Sequence, residues 1–356
     1  MSVSAILVIG DGPSFVPAKN NVRRDRRYPA AASMPCAEIL GQSILDRTVA
    51  RLRKEGVETI SVVAGPGSSS LACGENVEIT VADSSIDPWR AAQRLLREQM
   101  EHGIQTAIVM VLGAYMEFSL KDVLEFHRGH GQPLTQLFDA GGPLEFWCVD
   151  AKWLGSEGVP LPFREGEFLG LPVACPINGY VNRLGSARDL RRLVQDALLA
   201  RCDFLPRGRQ LRPGIWIDDG VRIHRTARLV APVYLGRSTK VGASAVITRF
   251  SNLEKHSGVG PGTIVDATSI LPHTVMGSGL DVSHAVIEGN QFLDLRRNVV
   301  LQIADPKLVR DTTPRRWRNP AAYSDLPLVG EAPTEMENSH YITRAAGRLS
   351  GVFFKG

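Results

Sequence analysis

Cysteine is scarce and scattered: five in 356 residues, at Cys36, Cys73, Cys148, Cys175 and Cys202, with no C-x-x-C pair. The odd number and wide spacing suggest neither a disulfide framework nor a zinc site, so buried reduced thiols in a cytoplasmic protein are expected. Long apolar runs are absent too. The longest candidates, residues 4–9 and 106–112, fall well short of the roughly 20 residues a membrane-spanning helix needs. They read as buried strands. The first residues lack a basic region followed by an apolar stretch and a cleavage site, so no secretory signal is expected. Charge of one sign is not in large excess either. With 41 Lys+Arg against 37 Asp+Glu, the net charge of +4 is weak support for a polyanionic partner, and nucleic acid is not expected. Two denser runs, Arg23, Arg24, Arg26, Arg27 and Arg315, Arg316, Arg318, read as solvated loops.

What the chain does have is a repeat. From Ile223 the aliphatic residues fall six apart: Ile223, Leu229, Leu235, Val241, Ile247, Leu253, Val259, Val265, Leu271. Two positions before most of them sits a small residue, such as Ala227, Thr239, Ala245, Ser251 or Ser257. A helix needs a period of 3.6 and a half-buried strand a period of 2, so neither accounts for six. A three-sided solenoid does: one hexapeptide per face, with the aliphatic side chain pointing to the axis and the small residue under each corner. Nine hexads predict three stacked coils of a left-handed parallel β-helix. The ladder then breaks at Gly277 and Ser283 and resumes at Ile287, Leu293 and Val299, which predicts a loop over residues 276–283.

The first half alternates between strand and helix patterns. Residues 3–9, 59–64 and 106–112 read as strands. Residues 43–55 read as a helix with Ile44, Leu45, Val49 and Leu52 inward and Gly56 as the stop, and 89–102 as another with Ala92, Leu95, Leu96 and Met100 inward. A third helix, 120–127, starts at the N-cap Ser119. Such alternation predicts an α/β domain with a doubly wound, mostly parallel sheet. Its ligand is expected at the carboxyl ends of the strands, near residues 10–17 and 113–117. The expected domains are therefore 1–205, a β-helix over 206–305, and an extended tail over 306–356 with a short helix or strand.

The order of these motifs resembles the sugar-nucleotide pyrophosphorylases, in particular their mannose-1-phosphate guanylyltransferase-like branch. Pro35-Cys36-Ala37-Glu38-Ile39-Leu40-Gly41-Gln42-Ser43-Ile44-Leu45 is similar to that family's run P-L-x-P-V-x-G-K-P-I-L. Leu112-Gly113-Ala114 resembles its N-G-D strand end, and Gly179-Tyr180-Val181-Asn182-Arg183-Leu184-Gly185-Ser186 its G-Y-W-x-D-I-G-T. The resemblance covers roughly residues 1–300 and is poor over 131–176. It implies the joining of a nucleoside triphosphate to a sugar 1-phosphate, with an arginine in a Gly-rich loop, a lysine and two Mg²⁺-holding aspartates.

At those four positions this chain carries Ser14, Met34, Ala114 and Arg183. Pro13 also removes a backbone donor from the phosphate loop. The resemblance thus implies the family's fold without its catalytic groups. No cofactor is expected, and Mg²⁺ only if nucleotidyl transfer survives. The leading expectation is a degenerate homologue that binds a nucleotide or sugar nucleotide through Gly10, Asp11, Gly12 and Lys19, and regulates or scaffolds polysaccharide-precursor synthesis. A second expectation is an active nucleotidyltransferase with a rebuilt site, drawing on Asp11, Glu117 or Asp83. A third is acyl transfer by the β-helix, with His273 or His284 as general base and His224 and His256 as weaker candidates. The exposed end coils and flat face of a solenoid predict a homo-oligomer, or a complex with an active homologue.

Overall fold

The computed structural model describes residues 2–9, 37–64, 77–81, 88–150 and 172–313. The chain divides into two compact units, one of Met1–Pro13, Ala32–Ala37 and Ser43–Gly185, the other of Ser14–Ala31, Glu38–Gln42 and Ser186–Gly356. Among the described residues no helix is long and apolar enough to cross a membrane. Cys148 and Cys175 are buried free thiols, Cys202 is buried as well, and burial pushes the Cys148 thiol up to about 12.

The first unit is built on a seven-stranded sheet. Its strands in chain order are Val3–Ile9, Thr59–Ala64, Glu78–Val81, Thr106–Val111, Leu134–Asp139, Gly142–Asp150 and Val173–Pro176. Numbered in that order, they lie side by side as 7-5-6-4-1-2-3. Val3–Ile9 pairs in parallel with Thr59–Ala64 on one side and Thr106–Val111 on the other. Residues 4–9 are almost wholly buried because both faces are covered. Ala5, Leu7 and Ile9 pack with Leu45, Val49, Leu52, Leu120 and Val123, from the helices Ile44–Lys54 and Leu120–His130. Ile6 and Val8 pack on the opposite face with Ala91, Ala92, Leu95 and Leu96, from the helix Pro88–Glu101. Each such side chain contributes about 1.5–3 kcal/mol on burial, which explains why this strand reads as a continuous apolar run rather than an alternating one.

The helix starts are set locally. Ser43 and Ser119 each accept a hydrogen bond from the backbone N–H three residues on, Asp46 and Asp122, and both aspartates sit in the positive first turn. The sheet is mostly parallel, as expected, with one strand reversed. Gly142–Asp150 runs antiparallel to both Thr106–Val111 and Leu134–Asp139. A tight reversal at Ala140-Gly141 makes that hairpin, within the segment where the family resemblance was poor.

In the second unit, successive short strands fall in rotation on three parallel sheets. One contains Ile215–Ile217, Val233–Leu235, Ser251–Leu253, Ser269–Ile270 and Ala285–Glu288; the next Arg222–Ile223, Lys240–Val241, Gly258–Val259 and Thr274–Met276; the third Arg228–Leu229, Val246–Thr248, Ile264–Asp266 and Asp281–Ser283. The inward set is one aliphatic stack including Leu235, Val241, Ile247, Leu253, Val259 and Val265. Corner residues such as Ser238, Ser244, His256 and His273 sit at φ of 57°, 56°, 55° and 60°. This left-handed backbone turns the chain from one face to the next.

Three sequence expectations are corrected. The coil is not interrupted at residues 276–283, because Thr274–Met276 and Asp281–Ser283 are regular strands of it. The register changes earlier and by a single residue. Thr248 pairs with Asp266, eighteen positions on, but Asn252 pairs with Ser269, seventeen on. The corner that takes Arg249 and Phe250, both at positive φ, takes Ala267 alone in the next coil. The inward residue is therefore Ile270, not Leu271, and Met276 and Val282 continue the stack. The coil then closes differently from a repeat: Ala285–Glu288, Gln291–Asp294 and Val299–Gln302 form an antiparallel meander, so Leu293 and Val299 are not hexad positions.

Candidate functional site

In the first unit the strand order reverses between Val3–Ile9 and Thr106–Val111, which have strand neighbours of opposite sequence direction beyond them. A crevice opens at the carboxyl ends of the strands at such a switch point. The segment leaving Thr106–Val111 is anchored at once, with Leu112 N–H donating to Val8 O at 2.9 Å. Tyr115–Met116 then pairs antiparallel with Val181–Asn182, Val181 opposite Met116 and Asn182 opposite Tyr115. Ala114 precedes Tyr115 and Arg183 follows Asn182, so two positions that lie far apart in sequence, and that the resemblance assigns to metal aspartates, flank the same end of this ladder.

Neither supplies a carboxylate. Ala114 offers a methyl group. Arg183 donates to Pro143 O at 2.9 Å and Gly142 O at 3.1 Å, and forms an ion pair with Asp139. It thus closes the end of the Leu134–Asp139/Gly142–Asp150 hairpin. Burial raises the Glu145 carboxyl, and the Arg183 charge works against that rise. No group of three or more His, Cys, Asp or Glu that could hold a metal ion occurs among the described residues.

The rest of this loop is held rigidly. Arg51, from the helix Ile44–Lys54, donates to Met116 O and Phe118 O and lies 4.9 Å above the Phe118 ring. Glu117 N–H donates to Tyr180 O at 2.8 Å, and Tyr115 Oη donates to Glu117 Oε1 at 2.7 Å. The rings of Tyr115 and Tyr180 tilt against each other at 6.1 Å. Gly179 allows this approach: a Cβ there would fall 1.4 Å from Glu117 O. Of the carboxylates expected as substitutes, Glu117 is thus occupied by a neighbouring phenol. Gly10, Asp11, Gly12, Ser14, Lys19, Met34 and Asp83 lie outside the described residues.

The histidines of the coil sit at its corners. His256 and His273 stack, ring centroids 5.0 Å apart, because they hold equivalent corner positions in successive coils. His273 is shifted down by burial first, then by the charges of His256 and Lys255. His284 is shifted down by burial, then by Arg296, whose guanidinium lies 3.4 Å from Nε2. Its Nδ1 is buried with no hydrogen-bond partner among the described residues. A general base is ordinarily oriented by an acceptor at its second ring nitrogen. His224 contacts Thr226 Oγ1 at 2.9 Å at an exposed corner.

Sequence reading missed a polar network inside the second unit. The helix Ala187–Leu198, capped by Ser186, buries Arg191. Arg191 donates to Asn252 Oδ1 at 3.0 Å, Ser269 Oγ at 2.9 Å and Phe250 O at 2.9 Å. Asn252 in turn donates to Glu254 Oε1 at 2.7 Å. Glu254 also accepts from Leu40 N–H at 2.8 Å and Gly41 N–H at 3.1 Å. Burial raises its carboxyl to about 7 against these bonds. Leu40 and Gly41 both have positive φ, and a Cβ on Gly41 would lie 2.3 Å from Tyr234 Oη. The part of the segment that resembles the G-K-P-I-L run is therefore held by its backbone. The helix itself was not read from the sequence, though a signal was there: Leu190, Leu193, Val194 and Ala197 share a face after a Ser-x-x-Asp start.

No family model matches the chain. No curated protein matches it. Solved structures do. A Bacillus anthracis protein named as a glucose-1-phosphate thymidylyltransferase, in complex with sucrose, is 14% identical over 54% of this chain and 93% of its own, with a TM-score of 0.39. HddC from Yersinia pseudotuberculosis is 15% identical over 54% of this chain and 97% of its own, with a TM-score of 0.39. Its complex with GMP-PN gives 14%, 53%, 97% and 0.39.

Proposed function

We propose that this protein is a catalytically degenerate homologue of the sugar-nucleotide pyrophosphorylases that binds a nucleotide or sugar nucleotide and serves a regulatory or scaffolding role in polysaccharide-precursor synthesis. The observation that carries the reading is the pairing of Tyr115–Met116 with Val181–Asn182. It supports equating Ala114 and Arg183 with the two metal positions, since both flank the same end of this ladder, just beyond a central strand's carboxyl end. There a methyl group and a guanidinium bound to Asp139 stand in place of two carboxylates. A guanidinium has no lone pair for a cation, so Mg²⁺ has no ligand at this point. Transfer of a nucleotidyl group needs charge neutralisation at the reacting phosphates.

Binding asks less of the geometry than catalysis does. The loop from Leu112 to Phe118 is fixed by Arg51, Tyr180 and the close approach at Gly179, and Tyr115 and Tyr180 stand together beside the switch point. Aromatic faces of this kind suit a base or a sugar ring. The second unit is read as a left-handed parallel β-helix, supported by its three-sheet rotation, hexad core and positive-φ corners. The expected organisation remains a nucleotidyltransferase-like domain, a β-helix and a C-terminal tail.

Calorimetric or thermal-shift titration with guanosine, adenosine, uridine and thymidine diphosphate sugars in EDTA tests the binding claim. Saturable stabilisation by at least one, unchanged on adding Mg²⁺, is expected. Absence of any shift across the set would remove the ligand-binding reading.

A further inference from the structure

The third face of the coil is a sheet of four strands, Arg228–Leu229, Val246–Thr248, Ile264–Asp266 and Asp281–Ser283, paired in parallel without a gap. Leu229, Ile247, Val265 and Val282 point to the axis. Strand alternation therefore turns Arg228, Val246, Ile264 and Asp281 outward, and the register aligns them in one row. Arg228 and Ile264 are exposed, and Val246 and Asp281 are half-exposed. The row reads cation, aliphatic, aliphatic, carboxylate. Among the described residues neither Arg228 nor Asp281 has an ion-pair partner. Burial raises the Asp281 carboxyl and the neighbouring Asp266 raises it further, so a cation approaching this end is favoured. Asp266 itself is engaged by Arg249 Nε at 2.6 Å.

We propose that this face pairs with the same face of a second copy of the chain about a two-fold axis parallel to the strands, passing between Val246–Thr248 and Ile264–Asp266. Such an axis reverses the stacking order while leaving each residue at the same place along its strand. Arg228 then faces Asp281 of the second copy, Val246 faces its Ile264, and each contact occurs twice. The other in-plane axis, along the stacking direction, sets Arg228 against Arg228 of the second copy and leaves both carboxylates unpaired. Charge therefore selects the first. Four strands span only roughly 14 Å from first to last at their usual spacing. The face is thus smaller than the ~800 Å² per partner of a stable complex, and the pairing is a concentration-dependent dimer rather than an obligate one.

Sedimentation velocity of the full chain over a wide concentration range tests this, with Arg228→Asp, Asp281→Arg and the double exchange. Each substitution lies on the outward side of a strand, and an unchanged far-ultraviolet spectrum verifies folding. The intact chain should dimerise reversibly, each single exchange should weaken association by roughly tenfold, since the broken ion pair occurs twice, and the double exchange should restore it. A chain monomeric at every concentration overturns the proposal. So does a dimer that single exchanges leave unchanged, or that the double exchange weakens more than either single.

Discussion

Glu254 offers the sharpest test of how the coil is held together. Its carboxylate is fully buried and accepts hydrogen bonds from Leu40 N–H, Gly41 N–H and Asn252. Burial nevertheless lifts its pKa from 4.5 to about 7. Because the folded value lies above the unfolded one, the folded state holds the proton more tightly, and this group makes the protein less stable as pH rises through the window from 4.5 to about 7. At 1.36 kcal/mol per unit, that rise corresponds to about 3 kcal/mol, absent below the window and complete above it. Glu254→Gln removes the titration but sets an amide N–H₂ against one of the backbone donors, at about 1–3 kcal/mol. The variant should therefore be clearly weaker than the parent at pH 5, and the gap should close or reverse by pH 8. Glu288, whose pKa burial also raises to about 7, is present in both proteins and cancels from the comparison. Urea unfolding of the pair at both pH values, with hydrogen exchange of coil peptides reporting on the second unit, measures the gap. A gap that is the same at both pH values would refute the reasoning.

Three further outcomes follow from named contacts. Gly179→Ala drives a Cβ into Glu117 O; it should separate Val181–Asn182 from Tyr115–Met116 and cost more than about 2 kcal/mol, read as a fall in Tm with loss of any nucleotide-sugar shift. Arg191→Met leaves Phe250 O without its buried donor and loosens Asn252, for about 2–4 kcal/mol, measured by urea unfolding of the second unit. Ala114→Asp combined with Arg183→Asp sets two carboxylates at the same end of the short ladder and should create Mn²⁺ binding that the parent lacks, observed by electron paramagnetic resonance.

The elements legible in the sequence were those whose signal is local. Ser43 and Ser119 mark helix starts because a side-chain oxygen accepts from a backbone N–H three residues on, and Ile44, Leu45, Val49 and Leu52 fall on the buried face that their spacing predicts. The hexad period was legible because each strand is too short to do more than aim one aliphatic residue inward. It failed at one place for a specific reason. Ile270 and Leu271 are adjacent and both buried, so a strict count of six selects Leu271, while the shortened corner at Ala267 turns Ile270 to the axis. The meander after Ala285 was missed since its aliphatic residues keep a similar spacing under a different pairing.

Legibility of the candidate site was uneven. Ala114 and Arg183 could be singled out from the resemblance, but not the two-residue ladder whose one end they flank, which joins segments over sixty positions apart. Arg183 looked like a lost ligand in the sequence; in the structure it has a task of its own, holding Asp139 and the hairpin carbonyls. The network of Arg191, Asn252 and Glu254 gave no sequence signal at all. Polar residues at coil corners are ordinary, and only the docking of Leu40, Gly41 and the helix Ala187–Leu198 buries these.

The central claim is that the fold persists without the reaction. Pyrophosphate release by the purified protein, in excess Mg²⁺ with each nucleoside triphosphate and glucose or mannose 1-phosphate, tests it most directly. No release above the enzyme-free control is predicted for every combination. Release with any pair, abolished by EDTA, would contradict the account and require a metal site built from other residues.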